Sequence, residues 1–168
     1  EEEALLGNSM TGVLGSPDIL LCDYLLREMA AKSVEVNKEW AAKIFINAAS
    51  RTTAEKPEGT GSLALGVNDP GIHAAHSRYF FRRVQNTKGD VVYEYFKKHN
   101  PHMCEESNWS ANKTDEIITF PLKAKEGAIV KADLSAIQHL EIIKKIQKNW
   151  VIPGGTNNKK DITNNVSC

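Results

Sequence analysis

The sequence lacks an apolar run approaching the roughly 20 residues that cross a bilayer. It also lacks net charge: 21 Lys plus Arg balance 21 Asp plus Glu. No global field therefore draws the chain onto a polyanion or an acidic membrane surface, which argues against nucleic acid and membrane as partners. The opening Glu1-Glu2-Glu3 is the reverse of the basic start of a signal peptide, so a cytoplasmic setting is expected. Cysteine is scarce. Cys22, Cys104 and Cys168 are odd in number and far apart, with no Cys-x-x-Cys pair and no His at zinc-ligand spacing, and they read as free thiols. Nucleophile–base arrangements and paired carboxylates are missing as well. The Asn-x-Ser/Thr matches at Asn108, Asn112 and Asn165 have no secretory signal beside them and read as chance. With no initiator Met and an abrupt end at Cys168, the chain reads as a segment cut from something longer.

What is present is a mixed pattern of helices and strands. Ser16-Pro17-Asp18 predicts a helix start with Ser16 as N-cap, and Leu21, Leu25, Met29, Val36, Trp40 and Ile44 recur on one helix face as a core stripe. Arg51–Lys56 predicts a strand, Pro57–Ser62 a glycine loop, and Leu63-Ala64-Leu65 a short helix. Asn68-Asp69-Pro70-Gly71 is a turn, and Tyr79–Gln85 reads as another strand. Asp90 predicts the N-cap of a helix ending near Asn100-Pro101. Glu116–Phe120 reads as a buried strand. The last helix is expected from Asp133 to about Trp150, with Leu134, Ile137, Leu140, Ile142, Ile146 and Trp150 inward. Gly154–Asn158 follows as a connector, and Asn164–Cys168 could begin one more strand. Strands alternating with helices predict an α/β architecture with parallel pairing. No internal repeat and no linker of domain-boundary length is visible.

Pro57-Glu58-Gly59-Thr60-Gly61-Ser62 is the most informative stretch. Small residues running into a helix start aim free backbone N–H groups and a positive dipole end at one point, which suits a phosphate. Thr60 and Ser62 add hydroxyls. The stretch lacks the Gly-Lys-Ser/Thr ending of a Walker A loop, and no Gly-x-Gly-x-x-Gly occurs. Downstream, His73 and His76 with Asp69 could hold a metal, but no third ligand is placed convincingly and loop hydrogen bonding is the simpler use. Arg82 and Arg83 point to opposite faces of one strand, so ion pairing is favoured over a joint grip on a ligand.

Several blocks together resemble the later part of the catalytic chain of adenosylcobalamin-dependent (class II) ribonucleotide reductases. They are Asn8-Ser9-Met10-Thr11-Gly12, Arg51-Thr52-Thr53 leading to Lys56-Pro57-x-Gly59-Thr60, Gly71-Ile72-His73-x-x-His76-Ser77, Arg82-Arg83-Val84-Gln85, Asn108-Trp109-Ser110-Ala111-Asn112, Asn149-Trp150 and Asn165-Val166-Ser167. Their order follows that family across nearly the whole chain. The resemblance implies that residues 1–168 are a carboxy-terminal portion of a ten-stranded α/β barrel. It implies a ribonucleotide substrate whose phosphates meet Pro57, Glu58, Gly59, Thr60, Gly61 and Ser62, with Gly71, Ile72 and His73 beside the active site. It implies adenosylcobalamin, held largely by parts absent here, and as partners the missing amino-terminal part of the barrel and a thioredoxin-type reductant. The family's radical cysteine lies in an upstream motif this chain does not contain, so no catalytic residue is assigned and the isolated segment is expected to be inactive. A non-catalytic phosphate- or nucleotide-binding remnant, or a split-subunit interaction protein, are the rival expectations. The chain departs from the family at Glu58, usually Ser or Thr, and at Ala54-Glu55, usually Cys-Val. A carboxylate at 58 repels a phosphate unless it points away; two like charges about 4 Å apart cost about 1 kcal/mol in water and more when desolvated.

Overall fold

The computed structural model describes residues 4–156. The expected strand at Asn164–Cys168, with Cys168 and Asn165, lies outside the described residues. The chain divides into two compact units, one built from the segments up to Arg78 and from Ala124 onward, the other from Tyr79–Lys123. Each unit mixes or pairs its elements differently.

In the first unit β1 (Leu5–Asn8) pairs in parallel with β2 (Arg51–Thr53), with Leu5 opposite Arg51 and Asn8 opposite Thr53. Between them run the single-turn α1 (Pro17–Leu20) and the long α2 (Asp23–Lys43). Proline stands at the first positions of α1, but the Ser16 hydroxyl does not cap it; Ser16 Oγ accepts from Lys125 Nζ at 2.8 Å. Asp23 in the first turn and Lys43 in the last match the α2 dipole.

The expected stripe on α2 is only half right. Leu26, Ala30 and Ala41 are its buried residues, and Val36, Trp40 and Ile44 stand exposed. Periodicity found a face, but it cannot say which stretch of that face meets a partner within the chain.

The core of this unit gathers Val13, Leu14, Leu26, Ile72, Ile146 and Trp150. Side chains as fully covered as Leu14 and Leu26 each contribute about 1.5–3 kcal/mol relative to exposure. The last helix, α5 (Ala136–Ile146), starts later than expected, because Ser135 and Gln138 form a reciprocal capping box. Ile137 and Leu140 are exposed rather than inward. After Ile146 the helix widens into one π turn over Gln147–Val151, followed by a 3-10 turn over Ile152–Gly154. The π turn brings the consecutive Asn149, Trp150 and Val151 all into the interior, which a regular helical spacing would not do.

The second unit is an antiparallel sheet in the order β3 (Tyr79–Thr87), β5 (Asp115–Lys123), β4 (Cys104–Glu106). The expected parallel pairing holds for β1 with β2, and the antiparallel sheet corrects it for the second unit. The register runs without a break from Tyr79 opposite Lys123 to Thr87 opposite Asp115. Asp90 caps α4 (Val91–His99) as expected, its Oδ1 accepting from Val92 N and Tyr93 N at 3.0 Å each. The buried Tyr93 donates its hydroxyl to Glu116, and Lys97 Nζ lies 2.6 Å from the same carboxylate. Arg83 pairs with Glu105 at 3.4 Å, the ion-pairing role favoured for it.

The unit boundaries fall between Arg78 and Tyr79 and between Lys123 and Ala124. Among the described residues no helix is long and apolar enough to cross a membrane.

Candidate functional site

The first unit brings three of the informative sequence blocks together. Thr11 Oγ1 donates to the Asp69 carbonyl at 3.2 Å and accepts from Gly71 N at 3.1 Å, while Gly12 N donates to the Asp69 carbonyl at 3.0 Å and Val13 N to the Gly71 carbonyl at 3.2 Å. The Asn8–Gly12 block is thereby sewn to the Gly71-Ile72 block. Gly71 in turn lies against the backbone leading into the glycine loop. Its φ is +47°, and a Cβ there would stand 2.3 Å from the Lys56 carbonyl oxygen, so glycine is required by both conformation and space. Ile72 is buried in the core, and so serves packing.

The helix following the loop, α3 (Gly59–Ala64), begins inside the glycine run rather than after it. Gly59 and Thr60 are exposed, Pro57 is exposed, and Gly61 is half-buried. Ser62 is buried and its hydroxyl donates to the Gly59 carbonyl at 2.8 Å, so it braces the turn from within.

Glu58 adopts the left-handed conformation, φ 46° and ψ 35°, at the N-cap of α3. Its side chain makes no cap hydrogen bond. Instead the carboxylate folds back over the turn: Oε1 lies 3.8 Å from Lys56 Nζ, and Oε2 is 2.3 Å from where a Cβ on Gly61 would stand. Gly61 thus leaves room for the Glu58 carboxylate. Lys56 Nζ also donates to the Gly7 carbonyl at 2.7 Å, tying the loop to β1.

His73 meets not a metal set but a second imidazole. Its ring lies edge-on to His139, with centroids 5.4 Å apart and planes at 64°. Burial, and then the neighbouring His139, hold the His73 pKa below its ordinary value. His139 Nε2 is 3.3 Å from the Ile72 carbonyl. The other predicted loop histidine, His76, is exposed and reaches Ser77 Oγ at 3.4 Å. Among the described residues no group of three or more His, Cys, Asp or Glu could hold a metal ion.

Gln147 escaped the sequence reading, and Glu55 entered it only as a departure from the family pattern. Glu55 is buried, with 4% exposure, directly before Lys56, and burial pushes its carboxyl up to about 7. Gln147 Nε2 donates to Glu55 Oε2 at 2.8 Å from the start of the π turn. The available signal was a lone carboxylate following the small, uncharged Thr52-Thr53-Ala54.

An apolar groove of about 700 Å³ runs along the exposed stretch of α2, lined by Leu6, Met29, Val36, Trp40, Ile44 and Trp150 among others. The polar side chains at its rim bond within the protein. Asn8 Nδ2 donates to Ser33 Oγ at 3.1 Å, and Asn37 exchanges hydrogen bonds with the Ala49 backbone at 3.0 and 3.2 Å.

No family profile and no curated protein matches the sequence. Among solved structures, a B12-dependent (class II) ribonucleotide reductase is similar, with a TM-score of 0.59 and 17% identity over 76% of this chain. The chain spans 18% of the length of that enzyme. Over the matched region the two share a mixed α/β fold.

Proposed function

We propose that this chain is part of the catalytic barrel of an adenosylcobalamin-dependent ribonucleotide reductase, contributing the loop Pro57–Ser62 to the binding of substrate phosphates. The observation that supports this reading most is the likeness in fold to a class II enzyme over 76% of the chain. The structure adds that the Asn8–Gly12, Lys56–Thr60 and Gly71–His73 blocks, separate in sequence, converge on one place.

In this reading the exposed backbone of Gly59 and Thr60 faces the phosphates, Lys56 supplies positive charge behind them, and Gly71 permits the close packing that sets the loop. Adenosylcobalamin, when bound, supplies the radical equivalent that a cysteine upstream of this segment would hold. The described residues of the α2 groove do not form a cradle for the amide-fringed corrin, because its polar rim is already engaged internally. In this reading the cofactor, the radical cysteine, the amino-terminal part of the barrel and a thioredoxin-type reductant are supplied by the rest of the assembly. A cytoplasmic enzyme acting in deoxyribonucleotide supply is the corresponding setting.

Glu58 favours a second reading, in which the chain is a phosphate-binding remnant or a split-subunit interaction protein without catalysis. Its carboxylate overhangs the turn that a phosphate would approach.

Reconstitution separates the two. The chain is combined with an amino-terminal partner carrying the radical-cysteine motif, adenosylcobalamin and a dithiol, and formation of deoxyribonucleotide is followed. Turnover that requires both parts supports the reductase. No turnover by a complex that has assembled stoichiometrically favours the remnant. Turnover by the purified chain alone would overturn the assignment of the radical site to another segment.

A further inference from the structure

Buried polar atoms in a folded protein are almost always partnered, so orphaned ones ask for an explanation. Three stand out in the first unit: Ser9 Oγ, Glu55 Oε1 and Gln147 Oε1 are buried and have no hydrogen-bond partner among the described residues. Two of them belong to side chains already joined, since Gln147 Nε2 donates to the other oxygen of Glu55 at 2.8 Å. The amide thus offers its donor to one carboxyl oxygen while its own oxygen and the second carboxyl oxygen both remain acceptors. An ionised carboxylate can only accept, and it leaves both orphans unmet. A protonated carboxyl carries one donor, and one proton answers both at once.

We propose that Glu55 and Gln147 form a carboxylic acid–carboxamide pair, with a proton on Glu55 donated to Gln147 Oε1, and that this pair is a protonation-dependent clasp between the strand entering the Pro57–Ser62 loop and the end of α5. The pair sits beside a small cavity of about 10 Å³ lined by Ser9, Glu55, Lys56 and apolar side chains. Lys56 is the other ionisable group lining that cavity; Gln147 and Ser9, from the segments packed against Glu55, are neutral. Lys56 Nζ is engaged with the Gly7 carbonyl at 2.7 Å and lies 3.8 Å from Glu58. Desolvation of Glu55, the dominant influence on it, favours the neutral acid up to a pH of about 7.

Loss of the proton leaves a buried negative charge, and the cation lining the same small cavity is Lys56. Drawing that ammonium inward takes it from the Gly7 carbonyl, the contact that holds the loop to β1, and from Glu58 within the loop. The clasp is therefore closed in the acid form and loosened in the ionised form. Because the folded-state value is raised, its contribution is fully present below the ordinary carboxylate value of 4.5 and is lost as pH rises from there through about 7. The pairing stands apart from phosphate binding and is tested without any ligand.

The test is a pH titration of the full chain with ¹³C-carboxyl-labelled Glu and ¹⁵N-labelled Gln side chains, with Glu55→Gln and Gln147→Met to assign the two signals. The expected result is a Glu55 midpoint near 7 in place of 4.5, with the Gln147 side-chain amide moving at the same midpoint and showing no such step in Glu55→Gln. A Glu55 midpoint in the ordinary carboxylate range overturns the proposal, and so does a Gln147 amide indifferent to the titration. If Glu55→Gln fails to fold, the Gln147 signal of the wild-type chain still decides the matter, since it reads the same midpoint.

Discussion

Gly154 packs so closely on Thr53 that a Cβ at 154 would stand 1.8 Å from Thr53 Oγ1. Thr53 cannot give way, because it is fully buried and its hydroxyl donates to the Trp150 carbonyl at 2.8 Å. The Trp150 indole N–H returns a hydrogen bond to the Ala54 carbonyl at 3.1 Å. Backbone and side chain together fasten β2, and the loop that follows it, to the turns after α5.

Gly154→Ala is therefore expected to destabilise the first unit by about 1–3 kcal/mol, the usual cost of overpacking. Gly59→Ala is its control, since nothing lies within 4 Å of a Cβ there and the position is helical. Alanine at 59 is expected to be neutral or to stabilise by up to about 1 kcal/mol. Denaturant unfolding of both variants checks the contrast.

Glu58→Ser removes the carboxylate that overhangs Gly61 and leaves a small hydroxyl in its place. If the loop accepts phosphates, inorganic pyrophosphate should bind the variant about tenfold or more tightly than it binds the parent chain, a gain of about 1.4 kcal/mol or more. Isothermal titration gives the comparison. Equal affinities would mean that Glu58 does not guard the loop, whereas absence of binding by both would count against the phosphate reading itself.

In the second unit the ionic centre is Glu116, buried between Tyr93 and Lys97 with Lys88 at 3.8 Å. The hydrogen bond from Lys97, then that from Tyr93, hold its carboxyl below the ordinary value. A depressed carboxyl stabilises the fold above its unfolded value, and that stabilisation is lost as pH falls through the folded value. Acid should loosen the contact of α4 with β5, and Glu116→Gln should lower Tm at neutral pH while flattening its acid dependence. Amide exchange over 79–123, followed from neutral pH downward, reports both effects.

Much of this was legible in the sequence where a local rule decides. Asp90 caps α4 because an Asx side chain satisfies free N–H groups wherever a helix begins there, and the strand at Glu116–Phe120 lies within β5. The loop at Pro57 and the turn at Gly71 were visible as glycine and proline, but their packing on each other depends on a contact between distant segments. Parallel pairing holds for β1 with β2 but was misjudged for β3, because alternation along Tyr79–Gln85 looks the same whichever way its neighbour runs. The pairing of Glu55 with Gln147 was invisible because residues 92 apart in sequence become partners only once α5 ends in its π turn.

Among the described residues, the first unit exposes apolar side chains on β1 and along α2. A parallel pair of strands is ordinarily covered on both faces and extended at its edges. Here all four residues of β1 are exposed, Leu5 and Leu6 at 56% and 50%. The groove beside them continues over Val36, Trp40 and Ile44. Such a contiguous apolar surface, Leu5 and Leu6 together with the groove, draws other chains. The isolated chain should self-associate, with apparent mass rising with concentration in sedimentation, and salt should strengthen this rather than weaken it because the surface is apolar. Trp40→Glu combined with Leu6→Lys should return it to a monomer, while changing the stability of that monomer by no more than about 0.5 kcal/mol per exposed site. The same two substitutions should block reconstitution with an amino-terminal partner if that partner supplies the missing cover. Loss of self-association with reconstitution intact would place the partner's contact elsewhere on the chain.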